Sequence, residues 1–287
     1  MSGYSGTRGA LLSLAAAAGL LAITACAPRL ASRPGVFEVS EHETTFGKAK
    51  FHASYVQPAG SHAHAGEMVA FFTGDAGWLG TSSQIFEHLA EGGYYLVGYN
   101  SREILKPIKQ TGELVSINRM AEATKSAFNA ARQRLGLPAS TPWIVVGFSR
   151  GASAAALAAV EPILKKELAG VVAVALTRES DHLRAPDPNE RPAGMEVDEK
   201  ERVQLYPALV AAATVPVAVI QSTNDKYVPS AQSRRLLGPD TPGRRLYEVE
   251  ARNHGFSGGE EALLHDLDDA LGWIEQSRSA GAQEAPK

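Results

Sequence analysis

A single cysteine, Cys26, stands in the 287 residues, so no internal disulfide can form. Charge of one sign is also missing: 28 Lys and Arg against 31 Asp and Glu leave a formal net charge of -3, and no long basic stripe supports nucleic-acid binding. Internal repeats are absent. The main candidate for a membrane span, Leu11 to Ile23, is shorter than a comfortable one. What remains is a chain with 44% hydrophobic residues, ample for a buried core.

The amino terminus differs from the rest. Arg8 precedes the apolar run, which ends in small residues, the layout of an export signal over residues 1–25. Ala22-Ile23-Thr24-Ala25-Cys26 is similar to the lipobox of bacterial lipoproteins. That resemblance implies lipidation of Cys26, a tether over residues 26–36, and a periplasm-facing place in the cell envelope. Ala27 leans toward the outer membrane, with the inner membrane the alternative. Simple secretion and a retained anchor are the other readings.

From residue 37 the pattern is that of an α/β protein. Phe37–Ser40 and Ala49–Val56 read as an antiparallel opening pair. Met68–Phe72, Tyr94–Tyr99 and Trp143–Val146 are strand-length apolar runs, separated by helical patterns over Ser82–Ala90 and Ile117–Leu135. Gly170–Leu176, Val215–Ile220 and Arg244–Val249 continue the alternation, and Glu260–Ile274 closes it as a helix. This order predicts a mostly parallel central sheet with helices on both faces, in one domain over residues 37–276. Residues 178–206, with three prolines and a charged run, read as an excursion at the carboxyl edge, either a lid or a surface insertion. Residues 277–287 read as a frayed tail. His62 and His64 form a His-x-His pair with no third ligand nearby in sequence, so the expectation is an exposed loop and no metal.

The candidate chemistry centres on Gly147-Phe148-Ser149-Arg150-Gly151, set between an apolar run and the Ala-rich segment 152–160. Strand, sharp turn and helix are the context a Gly-x-Ser-x-Gly nucleophile needs, because the glycines let the helix start against the strand end. A plain helix N-cap is the competing reading for Ser149. Asp225 and His254 each follow a buried-type strand, and the chain order Ser, Asp, His is that of an α/β-hydrolase. In that reading Ser149 is the nucleophile, His254 the base and Asp225 its orienting acid. Backbone N–H groups of Arg150 and of Asp75, with Ala76 as the alternative, are expected to receive the oxyanion. The Asp75 carboxylate either caps the next helix or accepts a substrate ammonium. Arg102, Glu103, Lys106 and Trp78 are candidate substrate contacts, Arg102, Lys106 and Arg150 as cations that could meet a phosphate. No cofactor is implied.

Taken together, Met68–Trp78 with its Gly74-Asp75-Ala76-Gly77-Trp78 element, Val97–Ser101, Val146–Ala152 and His254-Gly255-Phe256 resemble the VirJ/AcvB family of bacterial α/β-hydrolases over roughly residues 66–275. The resemblance implies a serine hydrolase of the cell envelope that cleaves the aminoacyl ester of a phospholipid such as alanyl- or lysyl-phosphatidylglycerol. It also implies Ser149, Asp225 and His254 as the catalytic residues. Two positions depart from the family pattern: Arg150 replaces an aromatic residue, and Ser153 replaces an acidic one. A general periplasmic carboxylesterase and a non-catalytic binding protein on the same fold are the alternatives.

Overall fold

A computed structural model of the chain describes residues 30–60, 64, 67–111, 114–191, 194–212 and 214–284. The export signal, Cys26 and His62 lie outside the described residues. Strands β1 (Phe37–Phe46) and β2 (Ala49–Pro58) open the fold as the expected antiparallel pair, longer than their apolar cores. They are followed by β3 (Met68–Phe72), α1 (Thr81–Glu91), β4 (Tyr95–Tyr99), the short helices α2 (Ser101–Ile104) and α3 (Lys106–Thr111), β5 (Val115–Ser116) and α4 (Ile117–Arg134). The elbow strand β6 (Trp143–Phe148) leads into α5 (Arg150–Val160), α6 (Pro162–Lys165) and β7 (Leu168–Val174). The last third holds β8 (Glu179–Arg184), β9 (Arg202–Gln204), α7 (Leu205–Ala211), β10 (Val217–Ser222), α8 (Ser230–Leu237), β11 (Arg244–Val249) and α9 (Glu260–Glu284).

Eight strands form one sheet in the order β1-β2-β4-β3-β6-β7-β10-β11. Pairing is antiparallel for β1 with β2 and β2 with β4, and parallel from β4 to β11. The parallel strands are apolar on both faces because helices cover both. On one side Ile85, Phe86 and Leu89 of α1 and Leu263, Leu267 and Leu271 of α9 pack on the sheet; on the other lie Ala121 and Phe128 of α4, the alanines of α5, Leu205 and Leu209 of α7 and Leu237 of α8. Among the described residues no helix is long and apolar enough to cross a membrane.

Several boundaries move for local reasons. β7 stops at Val174, two residues before its apolar run ends, because Ala175 takes φ 54° and leaves the strand. β10 starts after Pro216, which has no N–H for the ladder but whose carbonyl accepts from Val171 N–H at 2.9 Å. The excursion is a folded element: β8 pairs with β9 and with β5 to make a second, three-stranded sheet. Residues 277–284 are helical rather than frayed. Arg278 Nη1 donates to Glu67 Oε1 at 2.7 Å, and Tyr94 Oη to Glu275 Oε1 at 3.2 Å, tying the extended helix to the domain. His64 likewise bonds Glu275 Oε1 through Nδ1 at 2.9 Å and stacks on Tyr94, so it is packed rather than free in a loop.

Candidate active site

The elbow is built by close backbone approach. A Cβ on Gly147 would lie 2.0 Å from the Gly151 carbonyl oxygen, and one on Gly151 would lie 2.1 Å from the Phe72 carbonyl oxygen, so neither position admits a side chain. Between them Ser149 has φ 53° and ψ −111°, a conformation that costs a non-glycine residue roughly 1–3 kcal/mol. Its N–H is held by the Val174 carbonyl at 2.8 Å, and its side chain makes no capping bond to α5, which removes the N-cap reading. The hydroxyl points instead to His254, with Oγ 2.8 Å from Nε2.

His254 follows β11 on a turn fixed by Asn253, whose Oδ1 accepts from Gly255 N–H at 3.0 Å and Ser257 N–H at 3.2 Å. Thr81 Oγ1 donates to the Gly255 carbonyl at 2.8 Å and pins that turn to the start of α1. The other ring nitrogen, Nδ1, lies 2.6 Å from Asp225 Oδ2, so the Nδ1–H tautomer donates to the acid and leaves Nε2 to accept from Ser149. Asp225 is 1% exposed, and two further donors satisfy its carboxylate: Gln221 Nε2 to Oδ2 at 2.9 Å and Tyr227 N–H to Oδ1 at 2.8 Å. Gln221, fully buried at the end of β10, also donates to the Val228 carbonyl and accepts from Leu176 N–H. The ring of Tyr227 stands edge-on to His254 at 4.9 Å.

Facing the elbow, the Gly74–Gly77 turn follows β3. Gly74 N–H donates to Ser82 Oγ at 3.1 Å and Gly77 N–H to the Gly74 carbonyl at 3.0 Å, so Asp75 and Ala76 hold the turn's remaining N–H groups. The Asp75 carboxylate neither caps α1, whose N-cap is Gly80, nor stands free for a substrate amine. It is gripped by the Arg150 guanidinium, through Nε to Oδ1 and Nη2 to Oδ2, and by Lys109 Nζ at 3.3 Å. Burial raises its pKa, but the Arg150 hydrogen bonds and the charges of Arg150 and Lys109 outweigh this and hold it below the ordinary range. Arg150 also reaches Asp181 Oδ2 at 3.3 Å and abuts His182, whose pKa is lowered first by burial and then by the Arg150 charge.

Ser149 and Arg150 border a cleft of about 370 Å³, lined also by Asp75 and Tyr227 and, from the excursion, by Arg178, Glu179, Ser180 and Asp181. The expected substrate contacts are placed elsewhere. Trp78 packs its ring on Phe86 at 4.8 Å and over Gly98, a core role set by its apolar surface. Arg102 and Lys106 are exposed on α2 and α3, Glu103 half-buried beside them, and none lines the cleft. Lys109, one helical turn beyond Lys106, bonds the Asp75 carboxylate and does not line the cleft. Sequence reasoning missed Gln221 and Tyr227. Their signal was spacing: a glutamine inside an apolar strand four residues before the acid, and an aromatic two residues after it. Among the described residues, His265, Asp266 and Asp269 have metal-ligand spacing, but they sit on α9 away from the cleft.

No protein-family model and no curated protein matches the chain. Solved structures do. The chain is similar to an acylaminoacyl peptidase in complex with Z-Gly-Gly-Phe-chloromethyl ketone at TM-score 0.56 and 15% identity, covering 84% of this chain and 41% of that one. It is also similar to an esterase from Pyrococcus furiosus at TM-score 0.54 and 14% identity, over 82% and 90% of the two chains. A third likeness is to an α/β serine hydrolase homologue from Coxiella burnetii, at TM-score 0.52 and 15% identity over 79% and 97%. This chain has the α/β-hydrolase fold. It spans about two fifths of the length of the acylaminoacyl peptidase, and at these identities the likeness is one of fold.

Proposed function

We propose that the protein is a serine hydrolase that cleaves a carboxylic ester through an acyl-enzyme. The observation that carries this reading is the continuous hydrogen-bonded line Ser149 Oγ, His254 Nε2, His254 Nδ1, Asp225 Oδ2, with links of 2.8 and 2.6 Å, mounted on a strained elbow. Ser149 attacks the ester carbonyl while His254 takes its proton. The imidazolium, held and stabilised by Asp225, then gives that proton to the departing alcohol. Water, deprotonated by the same histidine, releases the acid from Ser149. Charge on the tetrahedral oxygen is received by the N–H of Arg150 at the start of α5 and the N–H of Asp75, or of Ala76 in its place.

The substrate class follows from the VirJ/AcvB resemblance: the aminoacyl ester of a phospholipid, presented at a membrane to an enzyme tethered through lipidated Cys26 on the periplasmic side. The cleft supports a charged substrate, since Asp181 is half-exposed and Arg178 exposed at its wall. In this reading Asp181, whose Oδ2 bonds Arg150, meets the ammonium through its other oxygen and Arg178 meets the phosphate, in place of Asp75 for the amine and of Arg102, Lys106 or Arg150 for the phosphate. Purified protein incubated with alanyl- and lysyl-phosphatidylglycerol, beside short-chain acyl esters, tests it. Release of the amino acid supports the proposal; hydrolysis of the short esters alone would leave a general carboxylesterase.

A further inference from the structure

A second cavity opens off the cleft. Arg150, Ser153 and Ser180 border both, and from there a narrow space, in which the centres of water-sized molecules have about 60 Å³, runs along α5 between α4, α2 and β8. Its floor is one face of α5, with Ser153 and Ala154, then Leu157 and Ala158, then Glu161 at successive turns. Phe46, Ile104, Ile117 and Met120 close the opposite wall. At the far end stands Glu161, 5% exposed, with Oε1 buried and, among the described residues, without a hydrogen-bond partner. It follows α5 and precedes α6, yet its side chain caps neither. The other ionisable side chains lining the channel, Arg150 and His182, are at the cleft end. Burial alone pushes its carboxyl up to about 7, in keeping with an apolar setting that holds no cation.

A buried carboxyl with an unsatisfied oxygen in a mostly apolar channel has no structural task here, and its cost is relieved by a donor that arrives along the channel. We propose that the channel is a subsite for an unbranched chain ending in a primary ammonium, seated on Glu161, with the chain lying along α5 toward Ser149. The inference rests on Ser149 being the nucleophile, not on the phospholipid reading. Length selects the ligand. Arg150 and Glu161 are separated by eleven residues of α5, roughly 16 Å along the axis. After allowing roughly 4 Å for the glutamate side chain, a zigzag chain needs about nine bonds to span the remainder. A lysyl side chain is too short to reach from a carbonyl at Ser149, so the chain that fills this channel is a longer amine-terminated one.

The test uses n-alkylamines and n-alkanols of four to eight carbons as inhibitors of 4-nitrophenyl acetate hydrolysis, with melting-temperature shifts on the same compounds as a readout independent of catalysis. In the wild type 1-aminooctane is expected to bind at least tenfold tighter than 1-octanol, and affinity to rise about three- to fourfold per added methylene. Glu161→Gln is expected to remove the preference for the amine, and Glu161→Asp to keep it at reduced strength, so that a variant that fails to fold does not decide the matter. Equal binding of amine and alcohol by the wild type would overturn the proposal. So would an amine preference that survives Glu161→Gln, or one lost in Asp181→Asn, which would put the ammonium in the cleft. If 4-nitrophenyl acetate is not cleaved, the nucleophile reading fails, while the melting shifts still report on the channel.

Discussion

Glu161→Gln has a calculable effect on stability. In the folded protein burial raises this carboxyl from its ordinary 4.5 to about 7, while the unfolded chain titrates near 4.5. Between those values the folded state holds a proton that the unfolded state has released, so stability falls as pH rises through the window and levels off above it. At about 1.36 kcal/mol per pH unit the full loss is about 3 kcal/mol, of which roughly 2.5 falls between pH 5 and pH 8. Glutamine keeps the shape and cannot ionise, so the variant escapes this loss. Urea unfolding of both proteins at pH 5, 6, 7 and 8 reads it directly, because every other titrating group cancels in the difference. Glu161→Gln should gain about 2 to 3 kcal/mol on the wild type across that range. A difference that stays flat with pH would refute the account of a desolvated, unpartnered carboxyl.

The site carries further expectations. Ser149→Ala and His254→Ala should each lower ester turnover by at least about a thousandfold in a steady-state assay with unchanged folding by circular dichroism, and Asp225→Asn by a comparable factor through the wrong histidine tautomer. Gln221→Leu removes a donor from Asp225 and leaves that oxygen short of a partner, so kcat should fall about tenfold with KM little changed, and urea unfolding should show a loss of about 1–3 kcal/mol. Gly147→Ala and Gly151→Ala drive a methyl into backbone at 2.0 and 2.1 Å, and each should cost at least about 1–3 kcal/mol in the same assay and abolish activity by moving Ser149.

The parts of this molecule that were legible in its sequence are those written in local pattern. Apolar runs of strand length between helical patterns identify the parallel strands, because both faces of such a sheet are buried. The elbow is equally local: two glycines with contacts of 2.0 and 2.1 Å leave a signature of five residues. Asp225 and His254 stand out as candidates because strand ends mark the ligand-binding edge, and the fold brings both beside Ser149. What escaped depends on partners distant in the chain. Asp75 is gripped by Arg150 and Lys109, residues 75 and 34 positions away, so neither a capping nor a substrate role could be excluded from its own neighbourhood. Arg102, Glu103 and Lys106 looked like site residues because they follow a strand end, but they sit on the short helices α2 and α3 and none lines the cleft, where only Lys109 of α3 touches a lining residue, Asp75. Helix α8, eight residues long, has too few turns to show a period. The helical run past Ile274 is held by Glu67 and Tyr94, which no composition of the tail reveals.

The central claim is that Ser149 is a nucleophile activated by His254, and active-site labelling tests it most directly. Incubation with a fluorophosphonate probe, followed by proteolysis and mass spectrometry, should place one phosphonate on the peptide that contains Ser149. Ser149→Ala should show no adduct, and His254→Ala a rate of labelling reduced by at least about a hundredfold. A folded wild-type protein that takes up no probe, or takes it up at another residue, would contradict the account.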